Sequence, residues 1–434
     1  MSTTIITAGT LGGDILGAEA IAGGNAMSAY RAGGTTPQCV LSPASVDELR
    51  RWMAATDPGG VTVIPAGNGT QLDVGRAPRT YDVALSTRRL RRILAHEVAD
   101  MTVTVEAGLT LAELNDALRS AAQSLPLDPP HPELTTIGAL IAADASGPLR
   151  LSQGKVRDLL IGISVVLADG TLVHGGGRVV KNVAGYDLMK LFTGSFGTLG
   201  VIVEATFKIR PLPESVAVVV VPTDTGDEAI NAALRVLAAR VEPSYVEALN
   251  RQGAIAAGLS SGPTVIVGCG GTAAEVAVQL QRLEALFGAQ VVQVCDAAEG
   301  AKLYAAVRDF QRPNGCKVSL LPSKLGGVLD GIKRESARRG LDAAWVAHVG
   351  SGVAFVRFAA DAAVDAALPS LAEWLHTTVR DAGGWVTFDV APGVANDRID
   401  PWGIDPPGAE LMRGVKRALD PRGRLSPGRF VGGI

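Results

Sequence analysis

Seven of the 26 residues from Gly175 to Gly200 (GGGRVVKNVAGYDLMKLFTGSFGTLG) are glycine, yet the stretch also carries Val, Tyr, Leu and Phe. A flexible linker is rich in Gly and Ser and lacks large apolar side chains. Glycine at this density among apolar groups implies a backbone packed on both sides that closely approaches something. At 434 residues the chain exceeds one ordinary core, so two or three domains are expected. Apolar residues make up 47% and charged residues 19%, a globular balance without the signature of disorder. A formal net charge of -3 offers no basic surface for nucleic acid. Cys39, Cys269, Cys295 and Cys316 are too far apart for a C-x-x-C metal or cluster motif and fit the buried thiols of a reduced, cytoplasmic protein. The N-terminus lacks the positive region of a signal peptide. Apolar runs such as Val216–Val221 fall short of the ~20 residues that span a bilayer, so membrane contact would come through a partner.

Residues 1–38 are small and Gly-rich and read as a loosely held leader. Ser45 with Glu48, and Thr110 with Glu113, are capping boxes that open helices bearing Leu49 and Trp52, and Leu111, Leu114 and Leu118. Val61–Ile64 and Met101–Glu106 read as strands; Ile161–Leu167 and Leu172–His174 read as a hairpin turning at Asp169-Gly170. The strand Val201–Ile209 runs into Pro211 and Pro213, a candidate boundary. Beyond it, strand and helix patterns alternate: strands at 216–221, 264–267, 290–294, 317–321, 344–348, 354–358 and 385–389, with helices at 227–239, 273–287, up to about 339, and 363–382. This predicts an antiparallel sheet with helices on one face. A helix over Ala409–Leu419 precedes a Pro/Gly-rich tail read as returning to the first domain.

Gly67-Asn68-Gly69 follows a strand, but Leu72 stands where a dinucleotide fingerprint needs its third glycine. Gly194, Gly197 and Gly200 have that spacing yet lead into a strand rather than a helix. Neither is a Rossmann turn, though both loops could form backbone nests for an anion. Taken together, PASVDEL at 43–49, IPAGNGTQ at 64–71, TVTVEAG at 102–108, TTIGALIAADASGPLR at 135–150, GKVRDLLIGISVVLADG at 154–170, 179–213 and DPRGRLSPGR at 420–429 resemble a known family. It is the FAD-binding fold shared by vanillyl-alcohol oxidase, p-cresol methylhydroxylase and the D-lactate/glycolate dehydrogenases, with nearest likeness to the FAD-binding subunits of multisubunit glycolate oxidases (glycolate dehydrogenases).

The resemblance implies an α+β protein: a leader (1–38), a two-subdomain p-cresol methylhydroxylase-type FAD-binding domain (39–213), a cap on the substrate side (214–395), and a C-terminal helix and tail (396–434). It assigns Pro65, Ala66, Gly67, Asn68, Gly69, Thr70 and Gln71 to the FAD pyrophosphate. Thr136, Ile137, Gly138, Ala145, Ser146, Gly147 and Arg150 would pass the pyrophosphate and flavin ring. Gly194, Gly197 and Gly200 would continue that wall, and Val201 and Ile202 would reach the adenosine end. Single glycines such as Gly138 or Gly185 read equally as turn geometry, and Lys181 and Arg157 as exposed charges. The first loop has neither His nor Cys, and His131 is the one histidine near the second, so the expected FAD is noncovalent.

Catalytic relatives carry a GDGN-L-H stretch and an E-H-G stretch. Here AHVGSGVAF at 347–355 keeps His348 but has Val353 and Phe355 in place of the asparagine and second histidine, and RIDPWGIDPPG at 398–408 has no histidine. His348 is the one catalytic candidate, and it reads as a packed or hydrogen-bonded remnant with no set of metal ligands around it. His96, His174 and His376 read as ordinary surface or strand residues. The implied function is the FAD-carrying subunit of a 2-hydroxy-acid oxidase, with a homologous large flavin subunit and an iron–sulfur subunit as partners. Alternatives are a self-sufficient FAD dehydrogenase and a scaffold without flavin.

Overall fold

The computed structural model describes residues 13–177, 186–260, 262–288, 292–310, 315–358, 362–389, 399–403 and 405–434. Residues 178–185, with Lys181 and Gly185, lie outside them. Two small sheets come first. In the four-stranded sheet the order is Ile21–Ala22, Cys39–Leu41, Val83–Ser86, Val63–Ala66, with the last three parallel. The five-stranded sheet is antiparallel, in the order Ile93–Glu97, Thr102–Glu106, Val201–Lys208, Leu160–Val166, Leu172–Gly176. The hairpin at Asp169-Gly170 is present as read, with Ile163 opposite Gly175.

Caps act locally, as their spacing requires. Thr110 and Glu113 close a reciprocal box at the start of Leu111–Leu118. Ser45 caps Val46–Thr56, but Glu48 accepts from the Ala44 N–H at 2.8 Å instead of from Ser45. The apolar face of that helix buries Leu49, Trp52 and Met53 against the four-stranded sheet.

Residues 13–38 correct the expectation of a loose leader. Ile21–Ala22 forms an edge strand, Leu16 and Ala20 join the core, and Tyr30 is buried. The Tyr30 hydroxyl donates to Ser86 Oγ (3.0 Å) and the Gly67 carbonyl (3.3 Å), and Tyr81 donates to the Tyr30 carbonyl (2.9 Å). Small residues read as flexible because they carry little apolar area; here they let the chain lie flat on the sheet.

Residues 215–389 build one eight-stranded antiparallel sheet, in the order Gln293–Val294, Ser215–Pro222, Thr264–Gly271, Tyr245–Leu249, Ala343–His348, Val353–Phe358, Gly315–Ser319, Trp385–Asp389. Helices Gly226–Ala238, Ala273–Phe287, Leu325–Arg338 and Ala362–Asp381 cover one face, over Val219, Val267, Trp345 and Val356. Side chains one residue along each strand point the other way, and there Val220, Ile266 and Val346 meet helix Ala297–Asp309 through Leu303 and Val307. That helix, Ile137–Ala143 and strand Tyr245–Leu249 were absent from the sequence reading.

The C-terminal helix Ala409–Leu419 leads into a tail beside Val63. The Val63 N–H donates to the Arg424 carbonyl and the Ser426 N–H to the Val63 carbonyl, both at 2.8 Å, so the tail covers the open edge of the four-stranded sheet. Lys416 is buried and donates from Nζ to Thr198 O (2.7 Å), Leu425 O (2.7 Å) and Asp420 Oδ2 (2.6 Å). Leu425 is 0% exposed within the core of that sheet. Leu425→Ala is therefore expected to cost about 2–5 kcal/mol, measured as a fall in the urea midpoint at unchanged slope. An unchanged midpoint would place the tail outside the core.

Candidate functional site

A cleft opens where the two small sheets meet. Its first wall is the end of strand Val63–Ala66 and the loop after it: Pro65, Ala66, Gly67, Gly69, Thr70 and Gln71 all line it, as do Ile64 and Leu72. Gly138, with Ala139, Ala142 and Ala143, supplies a second wall on helix Ile137–Ala143. The third comes from Gly197, Gly200, Val201 and Ile202, with Phe196. Three predicted segments far apart in sequence thus converge. The walls meet closely: a Cβ on Gly67 would lie 2.1 Å from Thr136 Oγ1, so no other residue fits there without displacement. Arg429, which the sequence reading missed, is the one charged side chain among the described lining residues.

Other predicted residues serve the site from behind. The Asn68 amide donates to the Leu134 carbonyl at 2.8 Å. Thr136 caps the helix through the Ala139 N–H, and Ile137 is buried. The Gly194 N–H donates to Ile141 O (3.0 Å) and the Phe196 N–H to Ala142 O (2.9 Å), so this turn closes the helix's C-terminus before the chain enters its strand.

Gly147 and Arg150 lie at the junction with the large sheet, while Ala145 packs against the core of the five-stranded sheet. Asp128, buried, accepts from the Gly147 N–H (3.0 Å), the Leu149 N–H (2.7 Å) and the Tyr304 hydroxyl (2.7 Å) of helix Ala297–Asp309. Burial pushes the Asp128 carboxyl up to about 6 against these hydrogen bonds. Glu247 faces His348 directly across neighbouring strands, and its carboxylate contacts the imidazole Nδ1. Burial pushes Glu247 up to about 7, with His348 opposing the shift. The Phe355 ring stands edge-on to His348 at 5.2 Å, and among the described residues His348 Nε2 and the Tyr245 hydroxyl are buried without a hydrogen-bond partner. Nearby, burial and the Arg150 guanidinium push the Lys317 ammonium down to about 8.

Asp128, Glu247, Lys317 and Tyr304 were not singled out from sequence. The available signal was a single charge within an apolar strand, YVEAL at 245–249 and CKVS at 316–319. The other histidines have partners too: His96 with Gln123 (2.9 Å), His174 with Ser164 (2.9 Å), which in turn donates to Glu204 (3.0 Å), and His376 with the Asp400 carbonyl (3.0 Å).

Comparison with known proteins bears on both halves. A family model described as an FAD binding domain matches residues 37–176, and one described as FAD linked oxidases, C-terminal domain, matches residues 212–430. Glycolate oxidase subunit GlcD of Bacillus subtilis is 26% identical over 91% of this chain and 89% of its own length. A probable mitochondrial D-lactate dehydrogenase of Danio rerio is 27% identical over 91% of this chain and 84% of its own length. Glycolate oxidase subunit GlcE of Escherichia coli is 34% identical over 41% of this chain and 49% of its own length. The crystal structure of p-cresol methylhydroxylase shares the fold, with a TM-score of 0.74 at 17% identity over 96% of this chain and 95% of that one. With residues 212–430 matched by that family's C-terminal domain and residues 37–176 by an FAD binding domain, this chain belongs to the FAD-linked oxidases.

Proposed function

We propose that the chain holds FAD noncovalently in the cleft between its two small sheets and takes part, as one subunit, in oxidising a 2-hydroxy acid, glycolate to glyoxylate, with electrons leaving to a partner. The observation that carries this reading is the convergence of the 65–71, 138–143 and 196–202 segments on one cleft, with Gly67 pressed against Thr136. Bound there, FAD would supply the acceptor for the hydride of the substrate's C–H bond. The cleft lining holds no His or Cys among the described residues, which supports noncovalent attachment. The similarity to GlcD and GlcE, both glycolate oxidase subunits by name, supports a multisubunit complex, for which we propose a homologous large flavin subunit and an iron–sulfur subunit as partners. We place the chain in the cytoplasm, with membrane association through that complex; among the described residues no helix is long and apolar enough to cross a membrane.

A hydroxy-acid substrate needs a cation for its carboxylate and a base for its hydroxyl proton. Arg150 and Lys317 at the junction suit the first role. For the second, His348 is 4% exposed, packed beside Phe355 and held by Glu247, which supports a structural pair and hence the subunit reading. The same carboxylate-held imidazole is what favours the second reading, a self-sufficient dehydrogenase akin to the D-lactate enzymes. A scaffold without flavin is disfavoured by the cleft.

Purified alone, the chain is expected to be yellow, to release FAD on acid precipitation, and to keep its flavin oxidised with anaerobic glycolate or D-lactate. Colour in the pellet would show covalent attachment, and bleaching without a partner would establish independent catalysis. Gly67→Ala is expected to weaken FAD binding on the order of tenfold or more through overpacking, read by flavin fluorescence titration. Unchanged affinity would remove the loop from the cofactor site. Burial also raises the folded Glu247 carboxyl from its ordinary 4.5 to about 7, so the folded state binds more protons between those values. The stability it contributes is complete below pH 4.5 and lost as pH rises through 7. Glu247→Gln should flatten that decline in unfolding midpoint; a decline of unchanged size would assign it to other groups, Asp128 first.

A further inference from the structure

The tail buries two arginines and satisfies them differently. Arg424 is 0% exposed, and each arm of its guanidinium is engaged. Its Nε donates to Val61 O (2.9 Å), Nη1 to Ala168 O (2.7 Å) and Asp57 (3.2 Å), and Nη2 to Thr56 Oγ1 (2.7 Å). Arg429 is 4% exposed. Its Nη2 donates to Leu72 O (2.8 Å) and Val74 O (2.6 Å), but among the described residues the buried Nη1 has no hydrogen-bond partner. The carboxylate acting on it through space, Asp73, is exposed. Burial pulls the guanidinium down to about 10, the cost of a cation without a buried counter-charge.

Arg429 is also held where it stands. Its carbonyl accepts from Trp402 Nε1 at 2.9 Å, and Trp402, Phe196 and the neighbouring Phe430 pack ring against ring at 5.1–5.3 Å. The backbone is anchored, the Nη2 arm is spent on the loop that walls the cleft, and the remaining donor belongs to the one charged side chain of the lining. A buried cation with no buried anion beside it among the described residues, at a cleft lined by backbone and small residues, calls for an anionic ligand. We infer that Arg429 is the counter-ion and hydrogen-bond donor for the diphosphate of the cofactor, supplied by the tail to a site otherwise built from residues 64–202. The inference rests on the reading of this cleft as the FAD site.

The test is binding to the full-length chain stripped of flavin, with FAD, ADP and riboflavin as probes and Arg429→Lys and Arg429→Met as variants. FAD and ADP carry the diphosphate and riboflavin does not. FAD and ADP affinities are expected to fall about tenfold to a hundredfold in Arg429→Met and less in Arg429→Lys, with riboflavin affinity unchanged. The Lys variant keeps the charge, so it remains informative should the Met variant fail to fold. An equal loss for FAD and riboflavin would show that Arg429 merely ties down the 72–74 loop and overturn the inference, as would unchanged FAD affinity in both variants. Failure of the unsubstituted protein to bind FAD or ADP would instead overturn the cleft assignment on which the inference rests.

Discussion

Gly67 and Thr136 touch where the four-stranded and five-stranded sheets meet, and there is no room between them for a methyl group. The cleft depends on this contact, because it sets how closely two separately built units approach. The surrounding residues maintain it. Tyr30 reaches the Gly67 carbonyl from the N-terminal segment, the Gly138 N–H donates to Ala107 O at 2.8 Å, and the Gly194 turn closes the helix behind. Small residues gather here because backbone, and not side chain, forms the walls.

The same seam is held from the far end of the chain. Arg424 joins carbonyls of residues 53, 61 and 168, and Lys416 bonds the Thr198 and Leu425 carbonyls. A buried cation whose donors are all taken specifies a unique arrangement more than it adds stability. The tail thus converts two small sheets into one unit, and the seating of Arg429 follows from it.

The half that would hold cofactor and the half that would meet substrate differ in chemistry. The cleft is nearly all backbone and small apolar groups, whereas the junction concentrates Asp128, Glu247, His348, Tyr304 and Lys317. These groups come from separate elements, and burial shifts the titration of Asp128, Glu247, Tyr304 and Lys317. Phe355 lays its ring edge-on to His348, which leaves the imidazole held by Glu247 and shielded from water.

Local features were legible from residues alone. The Thr110–Glu113 box, the hairpin at Asp169-Gly170 and the helix Ala409–Leu419 each depend on interactions between near neighbours along the chain, so spacing suffices to predict them. The glycine loops were legible as loops; that they wall a flavin is what the resemblance implies and what we propose. Glu247 was not, since a single carboxylate in an apolar strand acquires meaning only from its partner 101 residues away. Nor was the packing of residues 13–38, whose small side chains carry no amphipathic pattern to read. Sequence alone determined the loops, the caps and the alternating elements, because those are set by neighbours along the chain. Only the tertiary structure decided which loops face the cleft, that Gly147 serves Asp128, and that Arg429 arrives from the tail, because burial and charge pairing are properties of neighbours in space.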